Sequence, residues 1–267
     1  MDQGIVDFHT HAFPDDLAAG AMRTLMAEVP GIKAYCDGTT GDLIRSMDRA
    51  GIARCLVCCI ATRPTQFDSI VRWCHQIRSP RLVPLPSIHP DDPDILDRVR
   101  QVRASGFAGL KMHPYYQDFH VADDRMFPFY EEVSRLGLLL VMHAGFDIAY
   151  PRVKQADPES MLRVVETFPN LRLVVAHLGG WRQWEDVRRH LLGRPIHMEL
   201  SFAMQDLAAP AAREILMNHP EEYLLFGTDS PWTDQSETLS LLRKLELPAS
   251  RLDRILSRNA AELLDRP

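Results

Sequence analysis

His9 and His11 stand two residues apart at the end of an apolar run. A strand turns residues i and i+2 to the same side, so both imidazoles can reach one ion. Lys111 and His113 end another such run, His143 and His177 end two more, and Asp229 follows the last. Each of these alone reads most simply as a structural residue. Together they resist that reading, because buried imidazoles and a carboxylate grouped without a cation leave costly unsatisfied atoms. The expected ligands are His9, His11, His143 and Asp229. Such a donor set suits a divalent zinc ion, with manganese or iron as alternatives, better than magnesium. A cation there lowers the pKa of its water towards about 7, and Asp229 is placed to take the proton.

The elements that must bring these residues together appear as a rhythm. Apolar or β-branched runs recur at 5–8, 53–60, 82–88, 107–112, 138–142, 171–176, 196–202 and 223–227. Helix-like stretches alternate with them at 41–50, 67–78, 93–104, 126–136, 158–168, 182–192, 209–218 and 237–245, and 251–264 closes the chain. Several runs are apolar throughout, as parallel strands covered by helices are. Eight strand–helix units in 267 residues predict an α/β fold. The expected form is one (β/α)8 TIM-barrel domain over residues 1–267, with the site at the C-terminal ends of its strands. An open doubly wound sheet would carry a Gly-rich phosphate loop after its first strand, where this chain has His9-Thr10-His11. Residues 12–41 are too many for an ordinary strand–helix connection and read as a lid-like insert, with a short helix at 17–29.

Composition narrows the function classes. A net charge of −6 without any basic block argues against a general nucleic-acid binder. No apolar run approaches the roughly 20 residues that cross a bilayer, and the N-terminus has no signal-like core, so a cytoplasmic location is expected. A small-molecule substrate is the expected partner, and a second copy of the chain is the one protein partner kept open. Cys55-x-x-Cys58-Cys59 has the spacing of a zinc or redox pair, but it lies within an apolar run and no second pair completes it. Reduced, buried thiols are expected.

Five segments carry a resemblance to a known group. They are Val6-Asp7-Phe8-His9-Thr10-His11, Gly109-Leu110-Lys111-Met112-His113-Pro114, Val141-Met142-His143-Ala144-Gly145, Val174-Val175-Ala176-His177-Leu178-Gly179-Gly180 and Phe226-Gly227-Thr228-Asp229-Ser230-Pro231-Trp232. In this order the chain resembles the amidohydrolase superfamily, and within it the amidohydrolase-related branch that includes aminocarboxymuconate semialdehyde decarboxylase. The resemblance implies metal ligands at His9, His11, His143 and Asp229, with His177 beside the metal-bound water. Lys111 is similar to the strand 4 lysine that is carboxylated and bridges two metals in urease and dihydroorotase, with His177 then a second-metal ligand. One ion is preferred over two, because the branch resembled is mostly mononuclear. His113 is similar to a substrate-contacting histidine, and Trp232 is placed to line the pocket.

The remaining candidates carry plainer expectations. His75, His190, His197 and His219 read as surface or structural residues, and His89 and His120 lack a motif. Arg63, Arg152 and Arg182 follow strands and could meet a substrate carboxylate, although solvated roles are the simpler expectation. The expected activity is metal-dependent hydrolysis of a lactone, ester or amide, with Asp229 and His177 catalytic. The alternative is a non-oxidative decarboxylase of a small carboxylic acid, and after it a non-catalytic metal-binding barrel. A phosphoesterase of the polymerase and histidinol phosphatase type also begins with His-x-His, but the Gly-Thr-Asp229-Ser-Pro segment fits the amidohydrolases better.

Overall fold

The computed structural model describes residues 4–264. Eight strands run β1 (Ile5–Thr10), β2 (Ile52–Cys58), β3 (Leu82–Leu85), β4 (Gly109–Met112), β5 (Leu139–Met142), β6 (Arg172–Val175), β7 (His197–Glu199) and β8 (Leu224–Leu225). They pair in parallel in the orders β1-β2-β3 and β4-β5-β6-β7-β8. Single backbone bonds join the two sheets. Lys111 N donates to Pro86 O (2.9 Å), Phe8 N to Phe226 O (2.8 Å) and Asp229 N to His9 O (2.8 Å). The result is a closed TIM barrel.

The helices are α1 (Asp15–Glu28), α2 (Thr40–Ala50), α3 (Phe67–Ile77), α4 (Ile95–Ala104), α5 (Phe127–Arg135), α6 (Pro158–Thr167), α7 (Trp184–His190), α8 (Ala203–Asp206), α9 (Ala209–Asn218), α10 (Gln235–Arg243), α11 (Ala249–Asp253) and α12 (Asn259–Leu264). The closing stretch expected at 251–264 is therefore interrupted, because residues 254–258 widen into a π turn. The cause is tertiary. Ile255 O accepts from Phe226 N (2.9 Å), and Asn259 Nδ2 donates to Leu224 O (2.8 Å), so this helix ties itself to β8. Among the described residues, no helix is long and apolar enough to cross a membrane.

Two apolar layers follow from the two-residue alternation of the strands. Phe8, Leu56, Leu85, Val141, Val174 and Leu225 fill the barrel, and Ala260 and Leu263 of α12 plug its N-terminal end. Leu110, Met112, Leu140, Met142, Leu173 and Val175 face the helices. Strict alternation from Val6 and Phe8 would turn His9 out of the interior. Instead, the pairing of β1 with β2 slips between Asp7 and Thr10, and this irregularity lets His9 face inward as well.

Candidate metal centre

Three donor atoms meet at the C-terminal mouth of the barrel. His11 Nε2 lies 3.1 Å from Asp229 Oδ1, His9 Nε2 lies 3.5 Å from the same oxygen, and the two Nε2 atoms are 3.2 Å apart. Those separations match the edges of a tetrahedron whose centre is about 2 Å from each ligand, the bonding distance of zinc. The opposite ring nitrogens are anchored. His9 Nδ1 faces Glu199 Oε1 at 2.8 Å and His11 Nδ1 faces Cys58 O at 2.8 Å. With the protons held on Nδ1, both Nε2 lone pairs point to the shared centre, the usual outer support of a metal-bound histidine.

The backbone is bent to build this arrangement. Asp229 and His177 adopt φ of 69° and 56°, a left-handed region sparsely used by side chains other than glycine and often found at functional sites. Gly227 must be a glycine for a packing reason, since a Cβ there would stand 2.1 Å from Glu199 Oε2 and 3.3 Å from His9 Cβ. Glu199, at the end of β7, organises the floor. Its carboxylate accepts from His177 N (3.0 Å), Ser201 N (2.7 Å) and Ser201 Oγ (2.7 Å), besides facing His9.

His143 and His177 form a second layer. His177 Nδ1 lies 3.0 Å from Ser201 O, which fixes its proton there, and His177 Nε2 then accepts from His143 Nδ1 at 2.9 Å. That leaves His143 Nε2 as a buried lone pair with no hydrogen-bond partner, an atom that a cation would satisfy. The His143 ring also stacks on His113 with centroids 4.0 Å apart, and His113 Nε2 faces Asp147 Oδ2 at 3.4 Å. Among the described residues, the groups whose donor atoms cluster closely enough for a metal are His9–His11–Asp229, His9–His177–Glu199 and His113–His143–Asp147. The four expected ligands are thus placed as a tight trio, with His143 offset behind His177.

Lys111 Nζ is fully buried inside the barrel, 3.3 Å from His9 Nε2. Burial pushes this amine down from its ordinary value, although Cys58, Glu199 and Asp229 nearby oppose the shift. Burial, reinforced by Lys111, holds His9 well below the usual imidazole range, and burial with its histidine neighbours does the same to His143. Burial alone would raise Asp229, but the facing His9 and His11 outweigh it and hold the carboxyl below the usual range. Neutral His9 and His143 and an ionised Asp229 are the protonation states that a divalent ion requires of them. The sequence reading passes over Asp147, Glu199 and Ser201, which stand beside His113, His9 and His177, and takes Cys58 only as a buried thiol.

Above the floor opens a cavity of about 770 Å³ lined by His9, His11, His113, His143, His177, Asp229 and Trp232, with α1 along one side. Arg63 lines it too, whereas Arg182 is tied to Asp206 at 2.7 Å and Arg152 lies over the Phe146 ring. All five cysteines are buried and free, including Cys59 and Cys74, whose sulfurs are 3.6 Å apart.

Comparisons with known proteins bear on the fold and the family. Dihydroorotase from Pseudomonas syringae pv. syringae is 32% identical over 108 residues, which are 37% of this chain and 31% of that enzyme. The chain therefore spans about a third of the curated relatives it matches. Among solved structures, an uncharacterised TIM-barrel protein from Bordetella bronchiseptica superposes with a TM-score of 0.77 at 18% identity, covering 97% of this chain and 98% of that one. 5-Carboxyvanillate decarboxylase from Sphingomonas paucimobilis gives 0.72 at 15% identity, covering 98% and 99%. A probable 2-pyrone-4,6-dicarboxylic acid hydrolase from Acinetobacter baumannii gives 0.68 at 14%, covering 99% of each chain. These distant likenesses show the fold. The amidohydrolase family model matches residues 6–266, and the chain belongs to the amidohydrolase family.

Proposed function

We propose that this amidohydrolase-family enzyme is a metal-dependent hydrolase of a lactone, ester or amide. The observation that carries the reading is the convergence of His9 Nε2, His11 Nε2 and Asp229 Oδ1 at the floor of a cavity whose lining includes one arginine, Arg63. His9, His11 and Asp229, with His143 through its unpartnered Nε2, would hold one divalent ion, zinc first and manganese or iron next. When bound, the ion supplies Lewis acidity to a carbonyl and acidifies water. Asp229 takes a proton from the attacking water and returns it to the leaving group. His143 donates its Nδ1 proton to His177 Nε2 at 2.9 Å, which fixes the orientation of both rings. Glu199 keeps His9 and His177 in register throughout.

A second reading, decarboxylation, is favoured by Arg63. Its exposed side chain has no carboxylate within ion-pair distance among the described residues and can clamp a substrate carboxylate at the rim. The two separate in one experiment. The enzyme purified from metal-replete medium is analysed for metal, then offered aryl esters, lactones and aromatic carboxylates. Hydrolysis that disappears in Asp229→Asn supports the first reading. Carbon dioxide release without hydrolysis selects the second. A protein without stoichiometric metal sinks both.

A further inference from the structure

The helix α1 presents two apolar sides. Ala18 and Met22 are buried, Met22 against Gly38 of the loop that follows, which is ordinary for a surface helix. Leu17, Ala21 and Leu25 form a separate stripe at four-residue spacing, and that stripe lines the cavity above the metal site. The lining follows the helix from Leu17 to Glu28, about 16 Å at 1.5 Å per residue. Ile70 and Trp73 of α3, and Phe146 and Ile148 on the loop after β5, line the same cavity.

Exposure points the same way. The large hydrophobic side chains standing exposed among the described residues are Leu17 (57%), Met26 (39%), Ile148 (45%) and Val153 (57%). All four lie on the two segments that flank the cavity mouth, α1 and the loop after β5, and Leu17 and Ile148 line the cavity itself. Exposed apolar side chains gathered at a pocket's rim mark a surface that a ligand covers. Charge is scarce there. Arg63 is the one Lys or Arg in the lining, against Glu28 and the carboxylates Asp147 and Asp229. With the proposed ion taken by the reacting carbonyl, a second substrate carboxylate finds no cationic side chain in the lining beyond Arg63, and desolvation penalises a charge left unpaired.

We infer that the substrate carries a bulky or extended apolar group, an acyl chain or aromatic ring system, with at most one carboxylate, and that α1 is the wall that selects it. This rests on the cavity being the substrate site of the proposed hydrolase. The apolar group lies along Leu17, Ala21 and Leu25, and the reacting carbonyl reaches His9, His11 and Asp229 below. At about 770 Å³ the cavity is within the range that encloses a drug-sized molecule.

The test is a binding measurement that needs no turnover. Three of the four tryptophans, Trp73, Trp181 and Trp232, line the cavity, so intrinsic fluorescence reports its occupation. Decanoate and succinate are titrated into the metal-loaded enzyme and into the variants Leu25→Ser and Leu17→Ser. Leu17 is more than half exposed, so its replacement leaves folding intact. Decanoate is expected to bind at least tenfold more tightly than succinate, and each variant to weaken decanoate about tenfold while metal content and succinate binding stay unchanged. Succinate binding as tightly as decanoate, or decanoate binding unaffected by both variants, overturns the inference. Decanoate binding of the expected strength in an enzyme that hydrolyses no ester removes the hydrolase reading and leaves the substrate class standing.

Discussion

At the residue scale, Glu199 carries more of the site than its position in the sequence suggests. One carboxylate orients His9, caps the His177 backbone and holds Ser201, so its loss loosens two imidazoles at once. Glu199→Gln is expected to weaken metal binding by 10- to 100-fold, measured by competition with a chelator, while the barrel stays folded. Unchanged affinity would make Glu199 a packing residue only. Asp229→Asn is expected to lower turnover by at least about 100-fold, because the amide keeps the shape but cannot accept the proton. A variant retaining near-native turnover would remove Asp229 from the proton path. His9, His11 and Asp229 were readable from the sequence because each is a polar residue at the end of an apolar run. Glu199 lies inside such a run, and the pattern reads it only as part of strand β7. The signal was present, since a lone carboxylate in a buried strand demands partners. Asp147 left no signal, because a loop has no periodicity to break.

At the element scale, hydrophobic pattern reported burial more faithfully than pairing. The run at 223–227 contains a paired strand of only Leu224–Leu225, because Phe226 is already bonded to the π turn and Gly227 must pass close to Glu199. The helix-like pattern at 251–264 kept its apolar face, yet its interruption comes from bonds to β8 that lie outside any local window. Caps, by contrast, were local. Asp157 begins α6 just before Pro158, accepting from Ser160 N (3.2 Å) and Ser160 Oγ (2.7 Å). Asp157 is almost fully buried, so Asp157→Ala also strands those donors. The expected cost is about 1–2 kcal/mol of unfolding free energy in urea titration, with metal content unchanged. A neutral result would mean that water satisfies the helix end equally well.

At the scale of the whole molecule, buried imidazoles set the response to acid. His219 lies beyond α9 at the N-terminal side of the barrel, remote from the metal centre, with Nε2 on Ile196 O at 2.8 Å. Burial pushes its pKa down to about 4, from an ordinary value near 6.5. Between those values the unfolded chain binds a proton that the folded chain refuses, so unfolding takes up protons and stability falls as pH falls. The full difference is about 3 kcal/mol at 1.36 kcal/mol per pKa unit. Asp7 has the opposite sign. Burial raises it to about 7, so the folded chain holds a proton that the unfolded one releases, and acidification from pH 7 towards 4 favours folding there. The two effects partly cancel in the wild type, which is why substitution isolates them better than the wild-type profile does. His219→Gln keeps a donor for Ile196 O and removes the titration. Its unfolding free energy should therefore change less steeply than that of the wild type between pH 6.5 and 4, by about one proton in slope. Parallel pH profiles for the two proteins would show that His219 is already protonated in the folded state, and that its burial does not govern acid stability.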